Sequence, residues 1–484
     1  MSVNTALPTN EKKTAEKNEA EWNVPEFKVS GVFSSHMVLQ RGKKIHVWGF
    51  SDKNGSDVFA EFDGENVSAS VKSNRFDLYF SERPASKTPK TMKIYDDRGH
   101  VTVFDDVLTG DVWMIGGQSN AEMNLRFSLP ETLPEKYDAD GIYRLFMQTQ
   151  NYPYTHQQLC GMPQPDVISE DWRWKLPDEE ASLSFSAIGW FFANTLSKTL
   201  DIPIGAVNLS AGGACIRELV PEELAHEMGY TFGANVREAG YYNTLIHPFE
   251  GLQFYGMVFF QGESEGCVRE FAERYDKELE MLVCDERQRF GFEFPFYNVQ
   301  ISSYRDEGKQ YFPFLETVRV KQYDALSAIN DSFLIVSMDL GSPDSWGDFA
   351  HSPKKKALTD RISSLVLAKE YGKGDVAAAS SPFPQTAVYD ADKNTVTVRF
   401  ANVTSSLCSL GGENTVGGFS FGDFDGIKDA VAEITGDDAV TVYVPDGADH
   451  SYINYAYYSR ITEQNAQLYK KEGLPCPAFR IKTE

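Results

Sequence analysis

No two of the six cysteines (Cys160, Cys215, Cys267, Cys284, Cys408, Cys476) form a CxxC pair. That scatter excludes a zinc-finger-type site and a dense disulfide framework, and makes buried thiols the expected state. Long apolar runs are also missing: no stretch approaches the ~20 apolar residues that a membrane-spanning helix needs. Basic residues are scarce, with 46 Lys and Arg against 70 Asp and Glu and a formal net charge of −24. Neither nucleic acid nor an anionic membrane is therefore an expected partner. The N-terminus, MSVNTALPTNEKKTAEKNEAEWNVPE, lacks the apolar core of roughly 7 to 15 residues and the small-residue cleavage pattern of a secretory signal. As written the chain reads as cytoplasmic. A chain trimmed of its signal would look the same and would be periplasmic or secreted.

What is present describes a folded, multidomain chain. Of its 484 residues, 42% are hydrophobic and 13% aromatic, and this length favours two or three units, each with a core. Residues 1–25 are polar and rich in Lys and Glu, the composition of a disordered tail. Over 26–107, alternating runs such as VFAEF (58–62) and VSASV (67–71) between Gly, Asn and Asp turns predict an antiparallel β domain. Residues 108–380 change character. Short apolar runs (VWMI 112–115, IGAVNL 204–209, GMVFF 256–260, YNVQI 297–301, FLIVSM 333–338) alternate with helical stretches at 185–200, 268–283 and 315–329. This alternation predicts an α/β unit whose parallel sheet is covered on both faces. A further helix begins near Ser352 with Pro353 in its first turn and stops at Gly372. Alternation returns in NTVTVRF (394–400) and AVTVYV (439–444), predicting a C-terminal β domain over 385–484.

Four segments carry chemistry, and each follows a predicted strand. GDVWMIGGQSNAEM (110–123) ends a strand in Gly116-Gly117 and offers Ser119 at its carboxyl end, the edge where open α/β sheets place ligands. Ser119 is there either a nucleophile or a helix N-cap. Asp348-Phe-Ala-His351 places a carboxylate three residues before an imidazole, a spacing that lets Asp348 orient Nδ1 and leave Nε2 for a serine. The competing reading is a solvent-facing helix cap. NLSAGGA (208–214) and QGESE (261–265) offer the Gly212 N–H and the Gln261 amide as oxyanion donors, which must lie about 2.7–3.1 Å from the charged oxygen. Otherwise both are ordinary βα turns.

These residues resemble the sialate O-acetylesterase-type proteins of the SGNH/GDSL hydrolase superfamily. The resemblance rests on GDVWMIGGQSNAEM (110–123), PIG…NLSAGGACI (203–216), YNTLIHP (242–248), GMVFFQGESEG (256–266), DLGSP…DFAHSPKKKAL (339–358) and EGLPCPAFR (472–480). It implies a flavodoxin-like three-layer SGNH hydrolase core with a parallel sheet, flanked by N- and C-terminal β domains. It implies a serine carbohydrate esterase acting on acetyl esters of sugar hydroxyls, without metal or organic cofactor. By position, Ser119 becomes the nucleophile and His351 the base, with the Ser119 N–H, Gly212 and Gln261 forming the oxyanion hole. The orienting carboxylate is Asp348 or Glu263, or both. Gln118 and Asn243 are implied in substrate contact.

The chain also departs from the family's pattern. Phe-Ala-His-Ser-Pro within a longer loop, 341–347, replaces a compact Ile-His-Pro, and Leu209-Ser-Ala stands where a bulkier Ser-Trp is expected. Trp346 lies in that Gly- and Asp-rich loop and could stack on a sugar ring. His247 reads as a hydrogen-bonded structural residue, and Trp113, Trp190, Phe191 and Phe192 as core. The oligomeric state is not readable.

Overall fold

The apolar runs in the middle of the chain form the strands of one sheet in the computed structural model, which describes residues 22–137, 142–148, 161–230, 239–302, 312–341, 351–423 and 426–484. They are β1 (Val101–Gly117), β2 (Tyr143–Met147), β3 (Arg173–Lys175), β4 (Ile204–Asn208), β5 (Gly256–Phe260), β6 (Phe296–Gln300) and β7 (Ser332–Val336). The spatial order is β3-β2-β4-β1-β5-β6-β7. Every neighbouring pair is parallel except β3 with β2. Burial on both faces explains the unbroken apolar runs, since all five residues of β5 and of β6 are buried. The chain steps to one side of β1 to reach β2 and to the other side to reach β5. The carboxyl end of β1 is thus the topological switch point, where a doubly wound sheet opens a crevice.

The helices that frame the sheet and the serine are α1 (Ser119–Glu122), α2 (Ala187–Leu200), α3 (Arg269–Phe290), α4 (Leu315–Asp324) and α5 (Lys355–Tyr371); shorter ones lie at Glu179–Ser184, Glu222–Glu227 and Val376–Ala379. They pack in two pairs, α2 with α5 and α3 with α4. Local chemistry sets their ends. Ser186 Oγ accepts from Gly189 N at 3.1 Å to start α2, and Gly291 and Gly372, both left-handed, close α3 and α5. Helix α5 starts at Lys355, so Pro353 precedes it and does not sit in its first turn. Among the described residues no helix is long and apolar enough to cross a membrane.

The N-terminal strands do not stand apart. Strands Asp57–Phe62 and Glu65–Ser70 pair as an antiparallel hairpin, as their alternation predicts. With Val38–Gln40 and Ser86–Asp96 they join β1 in an 11-stranded sheet. β1 runs unbroken through residues 107 and 108, and one hydrophobic cluster extends from Val29 to Leu367 across both regions. The C-terminal residues form two four-stranded sheets and a two-stranded one, around a second cluster that Val336 and Met338 join from the core. Gln300, at the end of β6, exchanges two hydrogen bonds of 3.0 Å with the Ala478 backbone. Fully buried Arg319 donates to Tyr458 O and Ser459 O at 2.9 Å each. These bonds dock the C-terminal sheets on α4 and β6. The tail expected over 1–25 lies, up to residue 21, outside the described residues.

The cysteines correct one expectation. The five described are free, but only Cys476 is buried, whereas Cys267 and Cys284 are exposed. Cys284 is carried on an outward position of α3. Cys160 lies outside the described residues.

Candidate active site

Gly117 fixes how the serine is presented. Its φ of +122° is a left-handed conformation, and a Cβ there would fall 2.1 Å from Phe260 O. Only glycine fits, which lets Gln118 N donate to Phe260 O at 3.0 Å and turns the chain into α1. A Gly117→Ala variant is expected to lose about 2 kcal/mol or more of stability, read as a lowered urea midpoint at unchanged slope.

Gln118, not Ser119, occupies the N-cap position, and no side chain caps this helix. The cap reading of Ser119 therefore falls. Ser119 is the first helical residue, 6% exposed, and neither its hydroxyl nor its N–H makes a hydrogen bond among the described residues. Gln118, expected against substrate, is buried, and its Oε1 accepts from Gly262 N at 3.2 Å and Ser264 N at 3.3 Å. It braces the Q-G-E-S loop on the serine loop and belongs to the frame of the site.

The proposed oxyanion donors are placed differently from one another. Gly212 N–H donates to the buried Glu122 carboxylate at 2.7 Å, so in this structure it already has a partner. Burial pushes Glu122 up to about 7, against the pull of that N–H. Gln261 is corrected outright. Its side chain is fully buried, and its amide nitrogen donates to Ala214 O at 3.1 Å and to Glu265 Oε2. Its Oε1 accepts from Tyr275 at 2.9 Å. The side chain points into the core, where nothing remains to offer an oxyanion.

Glu263 points the other way. It is buried, with Oε1 accepting from Asn120 Nδ2 at 2.6 Å and Oε2 making no hydrogen bond among the described residues. Burial pushes its carboxyl up, while the Asn120 bond and the charges of His351 and Lys355 pull it down. The structure thus brings His351 within electrostatic reach of Glu263. Lys355, fully buried in α5, donates to Asn120 Oδ1 at 2.6 Å, and burial pulls its ammonium down to about 7. Asp348 and Trp346 lie outside the described residues.

Asn243 is buried in the turn Tyr242–Ile246, and Tyr241 ties that turn to the β4 loop by donating to Gly212 O at 3.3 Å. His247 Nδ1 is 2.7 Å from Gln164 O, the structural part expected of it. Trp113, Trp190, Phe191 and Phe192 are 0–2% exposed and sit in the core. Among the described residues no group of three His, Cys, Asp or Glu could hold a metal ion. Sequence reasoning passed over Glu122, Asn120 and Lys355. The signal for Lys355 was available: Lys355, Leu358, Thr359 and Ile362 recur at i, i+3, i+4 and i+7, one face of α5.

A serine at the switch point of a doubly wound sheet, beside a histidine-bearing segment and a buried carboxylate, defines a class of α/β protein with a serine-centred site. Residues 109–357, just over half of the chain, match the carbohydrate esterases described as sialic acid-specific acetylesterases, and the chain belongs to that family. It is 27% identical over 311 residues to the sialate O-acetylesterase of Homo sapiens, covering 58% of this chain and 57% of the relative. To that of Mus musculus it is 24% identical over 428 residues, 74% of this chain and 76% of the relative. The chain thus spans little more than half the length of the human relative. A carbohydrate acetylesterase from Xanthomonas citri shares the fold, with a TM-score of 0.79, 24% identity, and coverage of 94% of this chain and 99% of that one.

Proposed function

We propose that the chain is a serine esterase that removes O-acetyl groups from carbohydrate through an acetyl-Ser119 intermediate, on an SGNH-type, flavodoxin-like core with flanking β domains over 26–107 and 385–484. The observation that carries this reading is Ser119 itself, held at the switch point by Gly117 with a hydroxyl and N–H that make no hydrogen bond among the described residues. A serine hydroxyl needs a base, and His351 supplies it.

His351 Nε2 takes the Ser119 proton as Oγ bonds to the acetyl carbonyl carbon. The carbonyl electrons move onto oxygen, which the Ser119 N–H stabilises; Gly212 N–H joins it when the Glu122 bond yields. Collapse breaks the bond to the sugar oxygen, and His351 returns the proton to that leaving alcohol. Water, deprotonated by His351, then attacks the acetyl-enzyme, and acetate and free Ser119 result. A carboxylate from Asp348 or Glu263 accepts a hydrogen bond from Nδ1–H and steadies the imidazolium without taking its proton.

The family to which the chain belongs supports O-acetylated sialic acid as the substrate. The test is acetate release from O-acetyl sialic acid and from acetylated xylan by the same preparation. Faster release from the sialic acid ester is expected. Preference for xylan would move the substrate to plant polysaccharide, and release from neither would point to a carbohydrate-binding protein on an esterase-like core.

A further inference from the structure

Lysine is almost never fully buried unless paired, yet Lys355 is 2% exposed. Its ammonium donates to Asn120 Oδ1 at 2.6 Å, and Asn120 Nδ2 donates to Glu263 Oε1 at 2.6 Å. An asparagine amide has a fixed sense, acceptor on one side and donor on the other. Set between these two groups, it matches an ammonium at one end and a carboxylate at the other. The three residues also close a circuit through the site. Asn120 follows Ser119, Lys355 comes four residues after His351 at the start of α5, and Glu263 comes from the β5 loop.

We propose that Lys355, acting through Asn120, is a positioning residue that holds Glu263 as a carboxylate aimed at the His351 imidazole. This rests on the serine esterase reading above. The other groups electrostatically coupled to Glu263 are His351, Tyr275 from α3 and Arg319 from α4. Arg319 spends its fork on the backbone carbonyls of Tyr458 and Ser459 and its Nε on Ile301 O. Lys355 is thus the cation linked to Glu263 by hydrogen bonds through Asn120. That leaves Glu263 Oε2, buried and without a hydrogen bond among the described residues, as the acceptor for an imidazole N–H.

Removing the Lys355 charge raises the proton affinity of Glu263, which loses a neighbouring cation. The acid limb of the kcat/KM profile must then move to higher pH. Lys355→Met keeps the length of the side chain. It is expected to lower kcat on the order of 10–100-fold, the scale of a misplaced catalytic group, with KM within about threefold and the acid limb raised by about one pH unit. Asn120→Leu, which leaves every charge in place but cuts the bridge, is expected to lower kcat in the same range, and it is the variant to use if Lys355→Met does not fold. A folded Lys355→Met with the wild-type acid limb, or a loss uniform at every pH, overturns the proposal, as does an Asn120→Leu variant with wild-type kcat. Absence of Ser119-dependent acetate release by the wild type overturns the esterase reading instead.

Discussion

Ser119→Ala lowers kcat for acetate release by on the order of 10⁶-fold, to the rate that binding and the remaining oxyanion donors alone support. The covalent route needs an oxygen nucleophile at this position, and no neighbouring serine takes its place. Ser264, in the β5 loop, is already engaged, its hydroxyl donating to Gly213 O at 3.1 Å. Stability is expected to change little, because the Ser119 hydroxyl makes no hydrogen bond among the described residues. A thermal midpoint within a few degrees of the wild type, beside the lost activity, would mark the loss as chemical. A variant that keeps a tenth of its activity would mean the acetyl group never passes through Ser119.

His351→Ala falls by a comparable factor, on the order of 10⁵–10⁶, and the Ser119→Ala/His351→Ala double variant falls no further. The hydroxyl and the imidazole act as one unit: without the base the serine keeps its proton, and without the serine the base has nothing to activate. Additive losses would show that the two residues serve separate steps. Acetate release by the three variants, measured at saturating substrate, decides between these outcomes.

The serine segment was legible because burial writes itself into sequence. VWMI and GMVFF are unbroken apolar runs, they form adjacent parallel strands, and Gly116-Gly117 marks the turn between strand and helix. Strand β1 runs through the expected boundary at 107/108. Of its first six residues only Phe104 is buried while its last eleven are all buried, so the environment changes within a single strand. Motif position also failed to give side-chain direction. Gln261 stands where an oxyanion donor is expected, but its amide turns inward to Glu265 and Tyr275, and Gln118 turns to the loop backbone. Glu122 and Lys355 were not singled out from the sequence. Their partners, the Gly212 N–H and the Asn120 amide, come from distant segments, so periodicity could mark Lys355 as inward-facing but not say what it meets there.

The central claim, that Ser119 is the acylated nucleophile, is tested most directly by covalent trapping. Wild-type protein treated with a fluorophosphonate should gain one phosphonyl group per chain, lose acetate release in proportion, and yield a single modified peptide with the label on Ser119. Full acetate release by an unlabelled protein, or inactivation with the label on another residue, would contradict the account.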